Sequence, residues 1–230
     1  MKILNASIST SLDLNECREY IAVLPLGSLE YHGKHLPIAI DSLIALRLAE
    51  ELSERLDAIN DVCILILQPI NYGFSAEWSD LFSISLRPET LLNILRDIYS
   101  SMSKTKGFKG LLVLNAHGGN TSVVDVFIRE TTFILRGRAV AVDLWRVARQ
   151  LGLEYCHACR LEVELAKYLG VETYGEGDVS EARLSPRDYI AYMNARSGRF
   201  GKEPCLSEFM NSLINAFKEA IKHILKTSQH

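Results

Sequence analysis

Residues 19–28 read EYIAVLPLGS, and residues 27–41 continue as GSLEYHGKHLPIAID. The first stretch is a short apolar run closed by glycine and serine, the pattern of a buried strand that ends in a turn. From Asp41 the spacing becomes helical, with Leu43, Leu46, Ala49, Leu52 and Leu56 near one face. Between strand and helix lie Glu30, His32 and Asp41, side chains that are costly to bury unless paired or bound.

The same alternation continues outward. VCILILQPI (62–70) reads as an interior strand, and PETLLNILRDIYSSMSKTKG (88–107) as a helix opened by Pro88 and closed by Gly107. GLLVLNAH (110–117) and RAVAVDLW (138–145) read as further strands, with TSVVDVFIRETTFIL (121–135) helical between them. HACRLEVELAKYLG (157–170) and the stripe Phe209, Leu213, Phe217, Ile221 in CLSEFMNSLINAFKEAIKHILK (205–226) predict two closing helices. Strands alternating with helices predict an α/β fold, a three-layer α/β/α sandwich around a mainly parallel sheet, formed as a single domain over residues 1–230. In such folds sites form beyond the carboxyl ends of the strands. Glu30 and His32, the segment Asn71–Trp78 and the segment Asn115–Asn120 each follow a predicted strand, which places them at one crevice.

Composition excludes several classes. The formal net charge is -3 with no basic stripe, so no nucleic-acid partner is expected. No apolar run reaches membrane-spanning length and the N-terminal MKILNASIST lacks a secretory h-region, so a cytoplasmic protein with no membrane partner is expected. Cys17, Cys63, Cys156, Cys159 and Cys205 form no disulfide framework, and a reduced chain is expected, with Cys63 a buried thiol.

Glu30 and His32 are two apart and point the same way in extended backbone. With Asp41 they make a source of one imidazole and two carboxylates, a mixture that suits zinc, manganese or iron better than calcium or magnesium. His117 ends an apolar strand ahead of Gly118 and Gly119, where a ligand can approach closely. His157 precedes a helix that carries Glu162 and Glu164, two apart and so on different faces. Either carboxylate is a candidate ligand.

Gly27–Gly33 (GSLEYHG), then His35-Leu36-Pro37 and Asp41, resembles the signature of the creatininase family of metal-dependent amidohydrolases. NAHGGN (115–120) resembles its second motif, NYGFSAEWSDLFSISLRPETL (71–91) its middle segment, and His157-Ala158 with Glu162 a degraded third motif. The resemblance covers residues 20–170 and implies two divalent ions, zinc, manganese or iron, bridged by Asp41. It implies that Glu30 and His117 complete one ion, that His32 and Glu162 complete the other, and that His157 is catalytic. A hydroxide bridging the ions would attack an amide carbonyl, its parent water acidified to a pKa of ~7, and His157 would protonate the leaving nitrogen.

The family opens cyclic amides such as creatinine, trims peptides from a cofactor precursor, or deformylates a formamidopyrimidine ribotide in archaeal flavin and deazaflavin synthesis. Trp78 replaces a family histidine, Phe82-Ser83 a Gly-Thr and Arg160 an acidic residue, which argues against creatinine and toward the ribotide branch. Tyr72 and Trp78 are candidates to stack on a flat base, and Arg160, with Lys34 and Arg87, to receive a phosphate. A non-catalytic metal-binding family member is the further alternative. The resemblance also implies a homo-oligomer acting on a small-molecule amide.

Overall fold

The computed structural model describes residues 1–57, 62–78, 81–153, 155–174 and 202–226. Five strands, β1 (Ile3–Asn5), β2 (Glu19–Leu26), β3 (Val62–Ile66), β4 (Phe108–Asn115) and β5 (Ala139–Asp143), form one sheet in the order β1-β3-β2-β4-β5. Every pairing is parallel. The described helices are α1 (Ser11–Asn15), α2 (Ile40–Glu54), α3 (Pro88–Ser103), α4 (Thr121–Arg129), α5 (Leu144–Gln150), α6 (Arg160–Tyr168) and α7 (Leu206–Lys226).

The unbroken apolar run of β2 reflects its place at the centre of the sheet, covered on both faces. Ile21 and Val23 join Ile64, Ile66, Leu112 and Leu114 under a layer drawn from α2, α5, α6 and α7. Their alternates Ala22, Leu24 and Leu26 face Leu91 and Leu95 of α3 and Val124 and Phe127 of α4. The three layers are therefore those expected. Full burial of a leucine such as Leu48 or Leu95 contributes about 1.5–3 kcal/mol, and the two cores repeat that gain many times.

Several local expectations need correction. The buried face of α2 is Ile40, Ile44, Ala45, Leu48, Ala49 and Leu52, while Leu43 is exposed. The helix docks flat on the sheet, and that contact, rather than the leucine spacing, sets the buried stripe. The helix after β4 passes at Glu130 into a π-helical turn, Glu130–Ile134. Leu144 and Trp145 open α5 instead of ending β5, because Asp143 accepts from the Arg146 amide and caps a new helix. β1 was not legible, being a three-residue edge strand. The chain is also not fully reduced: Cys17 is bonded to Cys63 and Cys156 to Cys159, with Cys205 free. Pairing of β2 with β3 brings Tyr20 opposite Cys63 and so delivers nearby Cys17 to it, a proximity that a separation of 46 residues conceals. Among the described residues no helix is long and apolar enough to cross a membrane.

Candidate metal centre

Parallel strands leave all their carboxyl ends on one edge, and the site is built from the chain as it leaves that edge. Beyond β2, Gly27 passes so close to the first turn of α2 that a Cβ would overlap the backbone of Ser42. That approach brings Glu30 and His32, in the loop, beside Asp41 at the start of α2. The loop is tied down from below: Asn120 donates to the Gly27 carbonyl (2.9 Å) and accepts from the Phe74 amide (2.9 Å), linking the exits of β2, β3 and β4. Asn115, at the end of β4, donates to Asp143 (2.8 Å) at the end of β5 and to the His117 carbonyl (2.9 Å).

Three histidines meet at this edge with one shared wiring. His32 donates from Nδ1 to the Glu30 carbonyl (3.0 Å), His117 from Nε2 to the Phe74 carbonyl (2.9 Å), and His157 from Nε2 to the Tyr31 carbonyl (2.5 Å). A main-chain carbonyl only accepts, so each of these nitrogens carries a proton. The other nitrogen of each ring therefore faces the carboxylates. His32 Nε2 lies 3.4 Å from Asp41 Oδ1 and 3.6 Å from Glu162 Oε1. His117 Nδ1 lies 3.0 Å from Asp41 Oδ2 and 3.4 Å from Glu30 Oε1, and His157 Nδ1 lies 3.3 Å from Glu30 Oε1. Anchoring one ring nitrogen to a backbone acceptor fixes the tautomer and orients the other, the arrangement that supports histidine ligands.

The ligand atoms fall into two triads that share one residue, Glu30–Asp41–His117 and His32–Asp41–Glu162, and a third grouping joins Glu30, His32 and His157. The members of the two triads are all buried. Both oxygens of Glu30, Oδ2 of Asp41 and Nε2 of His32 are buried and make no hydrogen bond of good geometry, their nearest partners being one another and the His117 and His157 rings. Buried polar atoms are seldom left so. Nitrogen and carboxylate donors converging with unmet capacity fit divalent cations of the zinc or manganese type.

Electrostatics agree with that reading. Burial pushes the Glu30 carboxyl up to about 7, against the pull of His117. Burial likewise opposes charge on His117, but Glu30 and Asp41 outweigh it and hold this imidazole up at about 10. His32 is raised for the same reason, with burial overcome by Asp41 and Glu162. Burial works against the Asp41 carboxylate too, yet the two histidines hold it below the usual range. Glu162 is raised by burial. His157 alone is pushed down, first by burial and then by the neighbouring His32, and is neutral near pH 7.

A family profile described as Creatininase, creatinine amidohydrolase, matches residues 9–203. The chain belongs to the creatininase family. Its relatives include the mycofactocin precursor peptide peptidase of Mycolicibacterium smegmatis, 32% identical over 117 residues that cover 50% of this chain and 46% of the relative. They also include the 2-amino-5-formylamino-6-ribosylaminopyrimidin-4(3H)-one 5'-monophosphate deformylase of Methanococcus maripaludis, 25% identical over 222 residues, 89% of this chain and 92% of the relative. The match spans under half the length of the first of these relatives. A Bacteroides fragilis structure assigned as a creatinine amidohydrolase superposes with a TM-score of 0.69 at 20% identity, covering 100% of this chain and 99% of that one. That likeness bears on the fold alone.

Set beside the family expectation, the structure brings Glu30, His32, Asp41, His117, Glu162 and His157 together. Glu164, the alternative to Glu162, turns away and pairs with Arg160 (2.7 Å). Arg160 is exposed and bound to Glu164 and Glu203, so the structure does not bring it to the centre. Trp78 is buried and stacked on His157 (4.2 Å between ring centroids) instead of offering an open platform. Tyr72 is exposed, one residue before Gly73, which packs against Asn120. Gly119 leaves no room for a side chain, since a Cβ would overlap the Phe74 carbonyl and the His117 ring.

Two residues outside the expected set support the centre: Asp143 accepts from Asn115 and from Thr121 (2.7 Å), and His35 donates to the Ala158 carbonyl (2.9 Å). An aspartate ending a strand and a second histidine in the HGKH stretch were the available signals.

Proposed function

We propose that this chain is a metal-dependent amidohydrolase that holds two divalent cations, with Asp41 as the ligand common to both. The observation that carries this reading is the pair of buried triads sharing that one carboxylate. Glu30 and His117 complete one set, His32 and Glu162 the other. Bound cations supply hydroxide at neutral pH and polarise an amide carbonyl. The chain's own residues then manage the proton. His157 is neutral, its Nε2 proton is committed to the Tyr31 carbonyl, and so Nδ1 is the atom that accepts a proton and returns it to the leaving nitrogen. The histidine thus works first as a base, and as an acid only after protonation.

The substrate we infer is a formamide, the formamidopyrimidine ribotide, released as formate and an amine. The support is the Methanococcus maripaludis deformylase, whose match runs over 89% of this chain. Lys34, exposed in the loop between His32 and His35, takes over from Arg160 as the candidate phosphate contact. Peptide trimming is the second reading, favoured by the higher local identity to the mycofactocin peptidase, 32%. The protein should be purified without metal-affinity resin, its metals measured, and formate release assayed beside cleavage of creatinine and of short peptides. Chelator-sensitive formate release is expected. Peptide cleavage without formate release supports the second reading, and a metal-free protein inactive on all three refutes both. We also expect a single-domain, cytoplasmic homo-oligomer, checked by light scattering and cell fractionation.

A further inference from the structure

The sequence stretch that the function did not absorb is C-H-A-C, Cys156–Cys159, which encloses His157 and Ala158. Its two sulfurs are bonded, and both cysteines are half-buried at the start of α6. The residues inside this small ring do three things at once. His157 donates to the Tyr31 carbonyl and presents Nδ1 to Glu30; the Ala158 amide donates to Glu162 Oε2 (2.7 Å); the Ala158 carbonyl accepts from His35 (2.9 Å). To do so Ala158 holds φ +53°, and only one other non-glycine among the described residues has positive φ. That conformation is disfavoured for any residue with a Cβ and persists where the surroundings impose it.

We propose that Cys156–Cys159 is a reversible thiol–disulfide modification site, opened by dithiols, whose closed form clamps the 156–159 loop against the candidate metal centre. The two bridges differ in span and in burial. Cys17–Cys63 closes a separation of 46 residues and ends on a buried strand cysteine, so it is a structural bond. Cys156–Cys159 spans a separation of three, constrains little of the unfolded chain and is accessible, the character of labile disulfides.

A thiolate of the external dithiol attacks one sulfur, breaks the Cys156–Cys159 bond and forms a mixed disulfide. The second thiolate of the reagent then attacks that mixed disulfide. The pair gains two electrons and two protons, and the dithiol leaves as a disulfide. Once opened, Ala158 relaxes to negative φ, which withdraws its amide from Glu162 and its carbonyl from His35. The loss of metal affinity that follows rests on the metal-dependent reading above, whereas the exchange chemistry and the loop release do not.

The test grades dithiothreitol against the native protein, traps thiols with iodoacetamide and counts them by mass. One trapped thiol, Cys205, should become three before any molecule shows five. Deuterium uptake in the 155–162 peptide should rise at the same step as Ala158 loses its acceptor. After anaerobic removal of reductant, competition with a chromophoric chelator should show zinc bound about tenfold more weakly. Cys156→Ser/Cys159→Ser should reproduce the weakened state without reductant, and Ala158→Gly, which accepts positive φ, should keep its zinc affinity when reduced. Opening of Cys17–Cys63 first, or opening of Cys156–Cys159 with unchanged deuterium uptake, overturns the proposal. Both changes in a protein that binds zinc in neither state leave the clamp standing and refute the metal reading instead.

Discussion

Replacing Asp41 by asparagine tests the centre most directly. The Asp41 carboxylate is buried, 3.4 Å from His32 Nε2 and 3.0 Å from His117 Nδ1. At an effective dielectric of about 20, each contact is worth about 5 kcal/mol before the cost of burying the charge is subtracted. The loss has a ceiling, because a stranded imidazolium can shed its proton. His117 is held up at about 10, so neutralising it at pH 7 costs about 4 kcal/mol at 1.36 kcal/mol per unit. That agrees with the ~3–5 kcal/mol for breaking a buried pair from one side. The metal-free variant should therefore melt roughly 6–20 °C below the metal-free parent. Asparagine also lacks the second anionic oxygen needed to serve two ions, so metal content should fall by at least half. The assays are calorimetry on chelator-treated protein and elemental analysis of protein reloaded with zinc or manganese. A variant that melts within about 2 °C of the parent and reloads to the same metal content would refute the shared-carboxylate reasoning.

Metal-free protein should lose stability as pH rises from about 5 to about 10. Glu30 is raised from 4.5 to about 7 and His117 from 6.5 to about 10, so the folded state binds more protons than the unfolded one across that window. Metal ligation displaces those protons, so zinc affinity should rise over the same range and zinc uptake at pH 7 should acidify a weakly buffered solution. Trp78→Ala should cost about 3–5 kcal/mol of stability and lower kcat more than it raises KM, with Trp78→Phe restoring most of kcat, because the ring packs His157 into place. Gly119→Ala should displace His117, against which a Cβ would press, and halve metal content while the His32–Glu162 set keeps its ion. Leu48→Ala, far from the loops in the fully buried stripe of α2, should destabilise by about 2–5 kcal/mol and leave metal stoichiometry unchanged.

The layer order and the edge on which the site lies were legible in the sequence, because they follow from periodicity and from where polar residues interrupt it. The run Glu19–Leu26, apolar at nearly every position and closed by glycine and serine, reads as a strand covered on both faces. Glu30, His32, Asp41 and His117 stood out because they follow such runs. Local pattern does not reveal which face of a helix meets a neighbour or which distant thiols meet, and so α2 buries Ile44 instead of Leu43 and Cys17 finds Cys63.

The choice of Glu162 over Glu164 belongs to tertiary structure as well. Both lie on α6, two residues apart, and only the docking of that helix decides that one carboxylate faces His32 while the other pairs with Arg160. The sequence by itself determined the kinds of donor available and the strand ends that carry them, since both are set by covalent order. Tertiary structure decided which donors converge, because convergence depends on distances across the sheet edge, and these arise only when five strands and their covering helices pack.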